Sequence, residues 1–570
     1  MKGKFSDLFQ TWKELYPEQS LNSLKLFTVE LEEFMAGFAI PALDREWYKD
    51  AVVYSLYVDL FDHDFKGLTG RLDYLQSLGV NCLWLLPILD SPMRDAGFDI
   101  SDYRKIRKDL SGLGENATDD QTDELFRSFL AEAHRRGLKV IFDIATNHIS
   151  DQHDWFREAR KSQENPYRDF FIWSKDGKEY ADARIIFYGI EASNWKKDGD
   201  EYYFHRFFDF QPDLNYRNPE VLLEMSRNLL FWMKRGVDGF RADAIPYIWK
   251  EEGTACENLP KTHAVVRFFR TVIDLVRPNT LLLAEACQKP LEVVKYFGNG
   301  DECNAGYHFP LMPQIFKAVA MASREPVAET LGLDVTPEIP AGAQWFTFLR
   351  CHDELSLELV YVTEEDRKYI HEHYCRKPEW DFRLGQGISA RLAELMERDP
   401  ARIGLIYSVM LTLPGTPVIY YGDEFGKFND EDYYRMMKTA VGKDDTRFLV
   451  RGKIDWDQVV SALARPGSFE SLVFTRVRSM LHARNAYPVF GRGKLTWVDL
   501  QKPDGRKAGE IMAYYRTHND LKILVVQNLS ADILTLKWNF PFMKSLLGNS
   551  PVINKGLLEL KGFEYYWLLI

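Results

Sequence analysis

Residues 138–144 read LKVIFDI, residues 237–243 read VDGFRAD and residues 280–286 read TLLLAEA. These are short runs without strict polar alternation, and polar groups gather where they end: Asn147-His148, Arg241 to Asp243, and Glu285. Runs of this kind suit strands buried on both faces, as in a parallel sheet. Five further segments read alike: AVVYSLYVDL (51–60), NCLWLLP (81–87), CNAGYHF (303–309), WFTFLRCHD (345–353) and PVIYYGDE (417–424). Amphipathic helical stretches separate them. Eight strand–helix units predict an α/β fold, the closed (β/α)₈ TIM barrel, rather than an open doubly wound sheet. Neither a GxGxxG nor a P-loop motif supports the open alternative. Barrel enzymes carry their sites at the C-terminal ends of strands, which is where the ionisable residues fall.

Outward from this core, residues 1–46 predict a helical extension. Phe5, Leu8, Phe9, Trp12 and Leu15 recur at helical spacing, as do Leu24, Phe27, Leu31, Phe34 and Phe38. The barrel domain spans 47–490 and includes two long excursions. Residues 149–215 form a loop-rich insertion after the third strand, and residues 354–400 a lid insertion after the seventh. Both are expected over the barrel mouth, where loops set substrate choice. Residues 491–570 predict a small antiparallel β domain, with EIMAYYRT and LKILVVQN as two strands around a turn and GFEYYWLLI as a closing strand.

The chain has 570 residues, 46% hydrophobic and 27% charged, with a net charge of -12. An acidic surface repels nucleic acid and anionic membrane, so the expected partner is a small neutral ligand. The aromatic share of 14% suits the flat apolar faces of sugars, although a large aromatic core explains that share equally well. The first twenty residues lack the apolar core of a secretory signal, and no run reaches the ~18 residues of a membrane span. The six cysteines form no CxxC pair and read as free thiols in a reducing cytoplasm.

Asp243 and Glu285 carry the chemistry that this barrel can offer. Glycosidic cleavage needs an ionised carboxylate and a protonated carboxylic acid flanking the anomeric carbon, about 5–5.5 Å apart in retaining enzymes. Arg241 lies two residues before Asp243, so both side chains face one way along a strand, and the guanidinium favours the carboxylate form. Glu285 closes an apolar run, where desolvation raises an acid's pKa. Asp353 is expected to grip sugar hydroxyls and to keep Glu285 protonated by like-charge repulsion. His148 and His352 supply hydroxyl donors. Unrelated salt bridges at strand ends would account for any one of these groups, but poorly for all together.

FDIATNH (142–148), QPDLN (211–215), GFRAD (239–243), AEA around Glu285, HDE (352–354) and PGTPVIYYGDE (414–424) occur in the order found in the α-amylase superfamily of retaining glycosidases and transglucosidases. The chain resembles that family from about residue 47 to its C-terminus. The resemblance implies Asp243 as nucleophile, Glu285 as acid/base and Asp353 as transition-state stabiliser, with Arg241, His148 and His352 around the reacting glucose. SPMRDAGFDISDY (91–103) is similar to the segment closing the single-glucose pocket of exo-acting members, which implies Asp95 as a ligand of the terminal glucose and Phe98 as its stacking partner. An arginine after the eighth strand should pair with Asp95; of Arg447 and Arg451, the spacing to Trp456 favours Arg451.

Within the superfamily, residues 45–360 look most like trehalose synthases, which isomerise maltose to trehalose, whereas 422–452 resemble amylosucrases, which transfer glucose from sucrose. Cys351 stands where the family usually has asparagine, and RGKIDW (451–456) replaces an Arg-Thr-Pro-Met-Gln-Trp segment. The expected activity is glucosyl transfer or isomerisation of maltose to trehalose. The alternatives are an amylosucrase-like transglucosylase, an exo-acting α-glucosidase and, in another class, an inactive carbohydrate-binding barrel. The trehalose synthase likeness also implies Ca²⁺ near Asn147 and Asp213. Lys250 stands where a ligating glutamate is expected, and an ammonium cannot ligate a cation, so the expectation is no metal and no cofactor. HEHYC (371–375) lacks HExxH spacing and reads as a solvated helix or loop.

Overall fold

Eight parallel strands close into a barrel in the computed structural model, which describes residues 3–114 and 116–570. In chain order they are β1 (Val53–Leu56), β2 (Cys82–Leu85), β3 (Lys139–Ala145), β4 (Gly239–Asp243), β5 (Leu281–Ala284), β6 (Ala305–Tyr307), β7 (Gln344–Phe348) and β8 (Thr416–Tyr420). Each strand pairs with its neighbour in sequence, and β8 closes on β1. Almost every strand residue is buried, which explains why the runs do not alternate.

Several runs end their strand earlier than the sequence suggests. AVVYSLYVDL splits into β1 and a short helix, Val58–Asp62. Val58, Leu60 and Phe61 stay buried there, so helix and strand satisfy the same apolar residues and composition could not separate them. Glu285 likewise lies one residue beyond β5, and His352 and Asp353 lie beyond β7. The strands end where side chains leave the closed core for the mouth.

Gly239 sets the spacing of the site. A Cβ added there would sit 2.5 Å from the Cβ of Leu281 and 2.7 Å from its carbonyl oxygen. Only glycine lets β4 lie this close to β5. The register then places Asp143 opposite Arg241 and Leu283 opposite Arg241 on the other side. The strands that carry Asp143, Arg241, Asp243 and Glu285 are thus adjacent.

Helices pack around the barrel on apolar faces. Pro219–Met233 begins on Asn218, whose side chain accepts from the Glu220 amide, and buries Trp232 against Phe126 and Phe142. Two helices, Ser6–Leu15 and Asn22–Ala36, precede the barrel and pack on its outer helices through Trp12 and Phe27 against Phe268. The first excursion carries a three-stranded antiparallel sheet, Trp173–Ser174, Trp195–Asp198 and Glu201–Phe204. The second carries the helix Glu364–Tyr374 and a small sheet that includes Asp381–Phe382. Beyond the barrel, β9 (Lys494–Trp497), β10 (Ile511–His518), β11 (Leu521–Asn528) and β12 (Tyr565–Leu569) form the antiparallel sheet that the closing strand completes. Arg516 on β10 is fully buried and donates to Phe490 O at 2.9 Å and Gly493 O at 2.8 Å, tying this sheet to the chain that leaves the barrel.

Candidate active site

The ends of β3, β4 and β5 and the turn after β7 converge on one cavity of about 120 Å³. Its wall includes Asp243, Glu285 and Asp353, the three carboxylates expected to meet. Arg241 is at their centre. Its guanidinium bonds Asp143, lies 2.8 Å from Asp243 Oδ1 and 4.0 Å from Glu285 Oε1, and is 5% exposed. Asp143 is a member of the group that the sequence reading did not single out. It accepts from Trp84 Nε1 at 2.8 Å and orients the guanidinium from below.

Charge in this cluster is unevenly shared. Burial pushes the carboxyls of both Asp243 and Glu285 up, and Arg241 opposes it in each. The closer contact of Arg241 with Asp243 favours the ionised form there, so a proton shared by the pair rests on Glu285. The like charge that raises Glu285 further is that of Asp243. This corrects the expectation that Asp353 would do so. Asp353 instead acts on Asp243 and Glu354, while its own carboxyl, against the burial that would raise it, is held well below the usual range by Arg447, Arg451 and Arg241. Glu354 is pushed up to about 7, chiefly by burial and then by the Asp353 charge.

Backbone strain fixes the acid. Ala244 has φ of 57°, in the left-handed region, immediately after Asp243. This turn directs its N–H to Glu285 Oε2 at 2.9 Å. The Cys287 thiol donates to the other oxygen at 3.1 Å. Both donors favour the carboxylate and oppose desolvation.

The arginine pairing at the far end differs from expectation. Arg447, not Arg451, faces Asp95, with the nearest atoms 3.6 Å apart. Arg447 lies on the tight turn Thr446–Val450 and Arg451 directly after it. The turn leaves Arg447 toward the cavity and brings Arg451 back to donate to His352 O at 2.9 Å and to Asp353 at 3.2 Å. Spacing to Trp456 carried no information about that turn. Arg451 therefore belongs to the site through Asp353. Asp95 also accepts from Gln211 at 2.9 Å, and burial pushes its carboxyl up to about 7.

Phe98, His148 and His352 line the cavity as expected. Phe98 stacks on His352 with ring centroids 5.4 Å apart and 20° between planes. Burial pulls the pKa of His148 down to about 4 and that of His352 to about 3, so both rings are neutral donors or acceptors near pH 7. The outer wall was not read from the sequence. Phe187 and Phe207 come from the first excursion, and Glu358, Phe382 and Arg383 from the second. Arg383 donates to Ile186 O and pairs with Glu358 at 3.2 Å, so it straps one excursion to the other. Aromatic enrichment of 149–215 was the only available signal, and it names no residue.

Lys250 lies beside Asn147 and Asp213. Its ammonium lies 2.6 Å from Asn147 Oδ1, 2.8 Å from Asp213 Oδ2 and 3.5 Å from Ile248 O, with side-chain exposures of 1% for Lys250 and 0% for Asp213. The ammonium donates to Asn147 Oδ1 and Ile248 O, and its one positive charge faces one carboxylate. A Ca²⁺ ion needs six or more oxygens and more carboxylate charge, so these residues do not fit it. HEHYC lies mostly on the helix Glu364–Tyr374, outside the cavity.

The chain matches the family described as alpha amylase, catalytic domain, over residues 61–462. It is 39% identical to the trehalose synthase/amylase TreS of Mycobacterium tuberculosis over 580 residues, covering 94% of this chain and 92% of that protein. It is 40% identical to an oligo-1,6-glucosidase of Halalkalibacterium halodurans over 563 residues, covering 85% and 91%. The trehalulose synthase MutB from Pseudomonas mesoacidophila shares the fold, with a TM-score of 0.68 at 24% identity over 93% of this chain and all of that one.

The hydrogen bond from Cys287 yields a test of the acid. Replacing Cys287 by Ala removes a donor to the Glu285 carboxylate, so the Glu285 pKa rises and the acid stays protonated to higher pH. The alkaline limb of the kcat/KM profile should move to higher pH in C287A. A limb that stays in place, or moves down, would show that the thiol does not tune this group.

Proposed function

The chain belongs to the α-amylase family, and from that premise we propose that it is a retaining α-glucosyl-transferring enzyme that interconverts maltose and trehalose. The observation that carries the reading is one guanidinium, Arg241, within reach of both Asp243 and Glu285 in a cavity that Asp353 also lines. The relatives named for trehalose synthesis extend over nearly the whole chain, which supports the choice of donor and product.

In the first half-reaction Glu285 gives its proton to the bridging oxygen while Asp243 attacks the anomeric carbon. The C–O bond breaks, glucose leaves and a glucosyl ester forms on Asp243. Asp353 and Arg241 face the positive charge that develops on the ring, and Arg447 and Asp95 close the far end. In the second half the retained glucose turns and attacks through its anomeric hydroxyl, giving its proton to Glu285. Attack by water instead gives hydrolysis, a second reading favoured by the resemblance to an oligo-1,6-glucosidase. The partition depends on whether the excursions keep glucose in and water out. The hydrogen bond from Arg383, which Glu358 steadies, to Ile186 O joins the two excursions.

The reaction as proposed needs no metal, because the Lys250 ammonium supplies the buried positive charge beside Asn147 and Asp213. Among the described residues no helix is long and apolar enough to cross a membrane. All six cysteines are unpaired, which supports a reducing compartment such as the cytoplasm.

Incubation with maltose, sucrose and trehalose in separate reactions should give trehalose from maltose and maltose from trehalose, with little turnover of sucrose. Fructose and glucan from sucrose would replace this reading with the amylosucrase one. Glu285→Gln should lower turnover of maltose by roughly 10²–10⁴-fold, yet retain glucosylation by α-glucosyl fluoride, whose leaving group needs no proton. Arg383→Ala should raise the share of free glucose among products from maltose; an unchanged ratio of hydrolysis to transfer would remove the strap from the account. EDTA should leave the thermal unfolding midpoint unchanged, whereas Lys250→Met, which strands the Asp213 charge, should destabilise by about 3–5 kcal/mol. A fall in the wild-type midpoint with EDTA, restored by calcium, would show that a metal resides there after all.

A further inference from the structure

His371, Cys375 and Asp381 bring three different metal-ligating groups together outside the active-site cavity. Their donor atoms all lie within 4.8 Å of one another. His371 and Cys375 are four residues apart at the end of the helix Glu364–Tyr374, so they share one face a turn apart. Asp381 opens the short strand Asp381–Phe382 of the same excursion. Sequence spacing alone does not reveal the site, because the third ligand comes from beyond the helix.

We propose that these residues form a site for a zinc-class divalent cation that clamps the lid over the active site. An imidazole, a thiolate and a carboxylate are the ligand types of a tetrahedral Zn²⁺ site with a fourth position left for water. The sulfur selects against Mg²⁺ and Ca²⁺. His371 Nε2 already points at Asp381 Oδ1, 2.7 Å away, and the Gly385 amide donates to that same carboxylate oxygen at 2.8 Å. A backbone donor behind a ligand is the usual way such a carboxylate is oriented. The ring is 28% exposed and the carboxylate 32%, which leaves an entry path from solvent. The Cys375 thiol donates only to Lys377 O at 3.5 Å, a contact that the proton can leave when metal binds. To share one ion the His371–Asp381 pair has to open slightly from its 2.7 Å hydrogen bond and the Cys375 sulfur to close on both, which small side-chain rotations supply.

The position of the site gives the ion a mechanical role. The helix is fixed to the barrel, since Tyr374 donates to Phe316 O at 2.8 Å and Asp366 pairs with Lys317. Asp381 is followed directly by Phe382 and Arg383, both of which line the cavity. Arg383 and Leu384 have φ of 52° and 57°, so the lid tip is held in a strained turn, with Leu384 80% exposed. A metal bridging helix and strand would tie this tip to the fixed barrel.

Cobalt replaces zinc in such sites and reports a thiolate ligand by a near-ultraviolet charge-transfer band. Titration of the full, reduced chain with Co²⁺ should give this band with one equivalent bound, and Zn²⁺ should abolish it. Cys375→Ser should remove the band, while Cys351→Ser, which alters the other Cys-His-Asp group, within the active site, should keep it. No band at saturating cobalt, or a band that survives in C375S, would overturn the site. Zinc should also slow hydrogen exchange across 376–388 in the wild type and not in C375S. Unchanged exchange with metal bound would overturn the clamp.

Discussion

A single buried guanidinium has to satisfy three carboxylates, and the rest of the site follows from that constraint. Arg241 bonds Asp143 and Asp243 and lies near Glu285, and its charged carbon sits 5.3 Å from the Trp84 ring. One positive charge cannot hold three ionised acids in a poorly solvated cavity, so at least one must keep a proton. Distance decides which. Asp143 is pushed up to about 7 by burial yet is in direct contact with the guanidinium and with Trp84 Nε1. Asp243 is in contact too, and Glu285 is left farthest out. The asymmetry that acid–base chemistry needs is therefore built from strand register, not from loop flexibility. Register in turn depends on the close approach at Gly239.

The parts of the site that lie on strand ends were legible because a strand end is set by local patterning. Asp243, Glu285, Arg241 and His148 could be placed from where an apolar run stops and a polar residue begins. Asp143 was overlooked inside such a run: its burial at 2% exposure makes it look like an interruption of the core, and only the pairing with Arg241 explains it. Arg447 and Arg451 are hard to tell apart from spacing because both are buried and both reach Asp353, and only the turn Thr446–Val450 decides which of them also faces Asp95. The outer wall was illegible for a different reason. Phe187, Phe382 and Arg383 reach the cavity through tertiary folding of long excursions that have no period, so their neighbours are not encoded at any fixed spacing.

Those excursions also divide the labour of the site. The inner half, from Asp143 to Asp353, is held by ion pairs between regular elements and by the positive φ at Ala244. The outer half is aromatic and is joined across its gap by Arg383. Arg447 bridges the two halves. It bonds Asp445, reaches Asp353 at 3.2 Å and Asp95 at 3.6 Å, and lies about 5.5 Å from the rings of Phe187 and Phe382. A cation with so many partners resists displacement, which suits a group that defines the closed end of a pocket.

Charge neutrality, rather than a particular ligand set, governs the junction between barrel and first excursion. Asp213 accepts from the Arg206 amide at 3.0 Å, the Leu214 amide donates to Asn147 O at 2.8 Å, and His148 pairs with Asp213 as an isolated β-bridge. The backbone here is thus fully committed before any cation is considered. What remains is one buried carboxylate, and a monovalent ammonium on the chain itself cancels it exactly once. A divalent ion with the same oxygens would leave a net positive charge in a dry site, a few residues from the place where an oxocarbenium charge has to form. Lys250 avoids that penalty at the cost of ordering one side chain and of burying its ammonium, which pulls its pKa down against the pull of Asp213. His148 is held in place by this junction, so the same Lys250–Asp213 pairing also fixes a wall of the pocket.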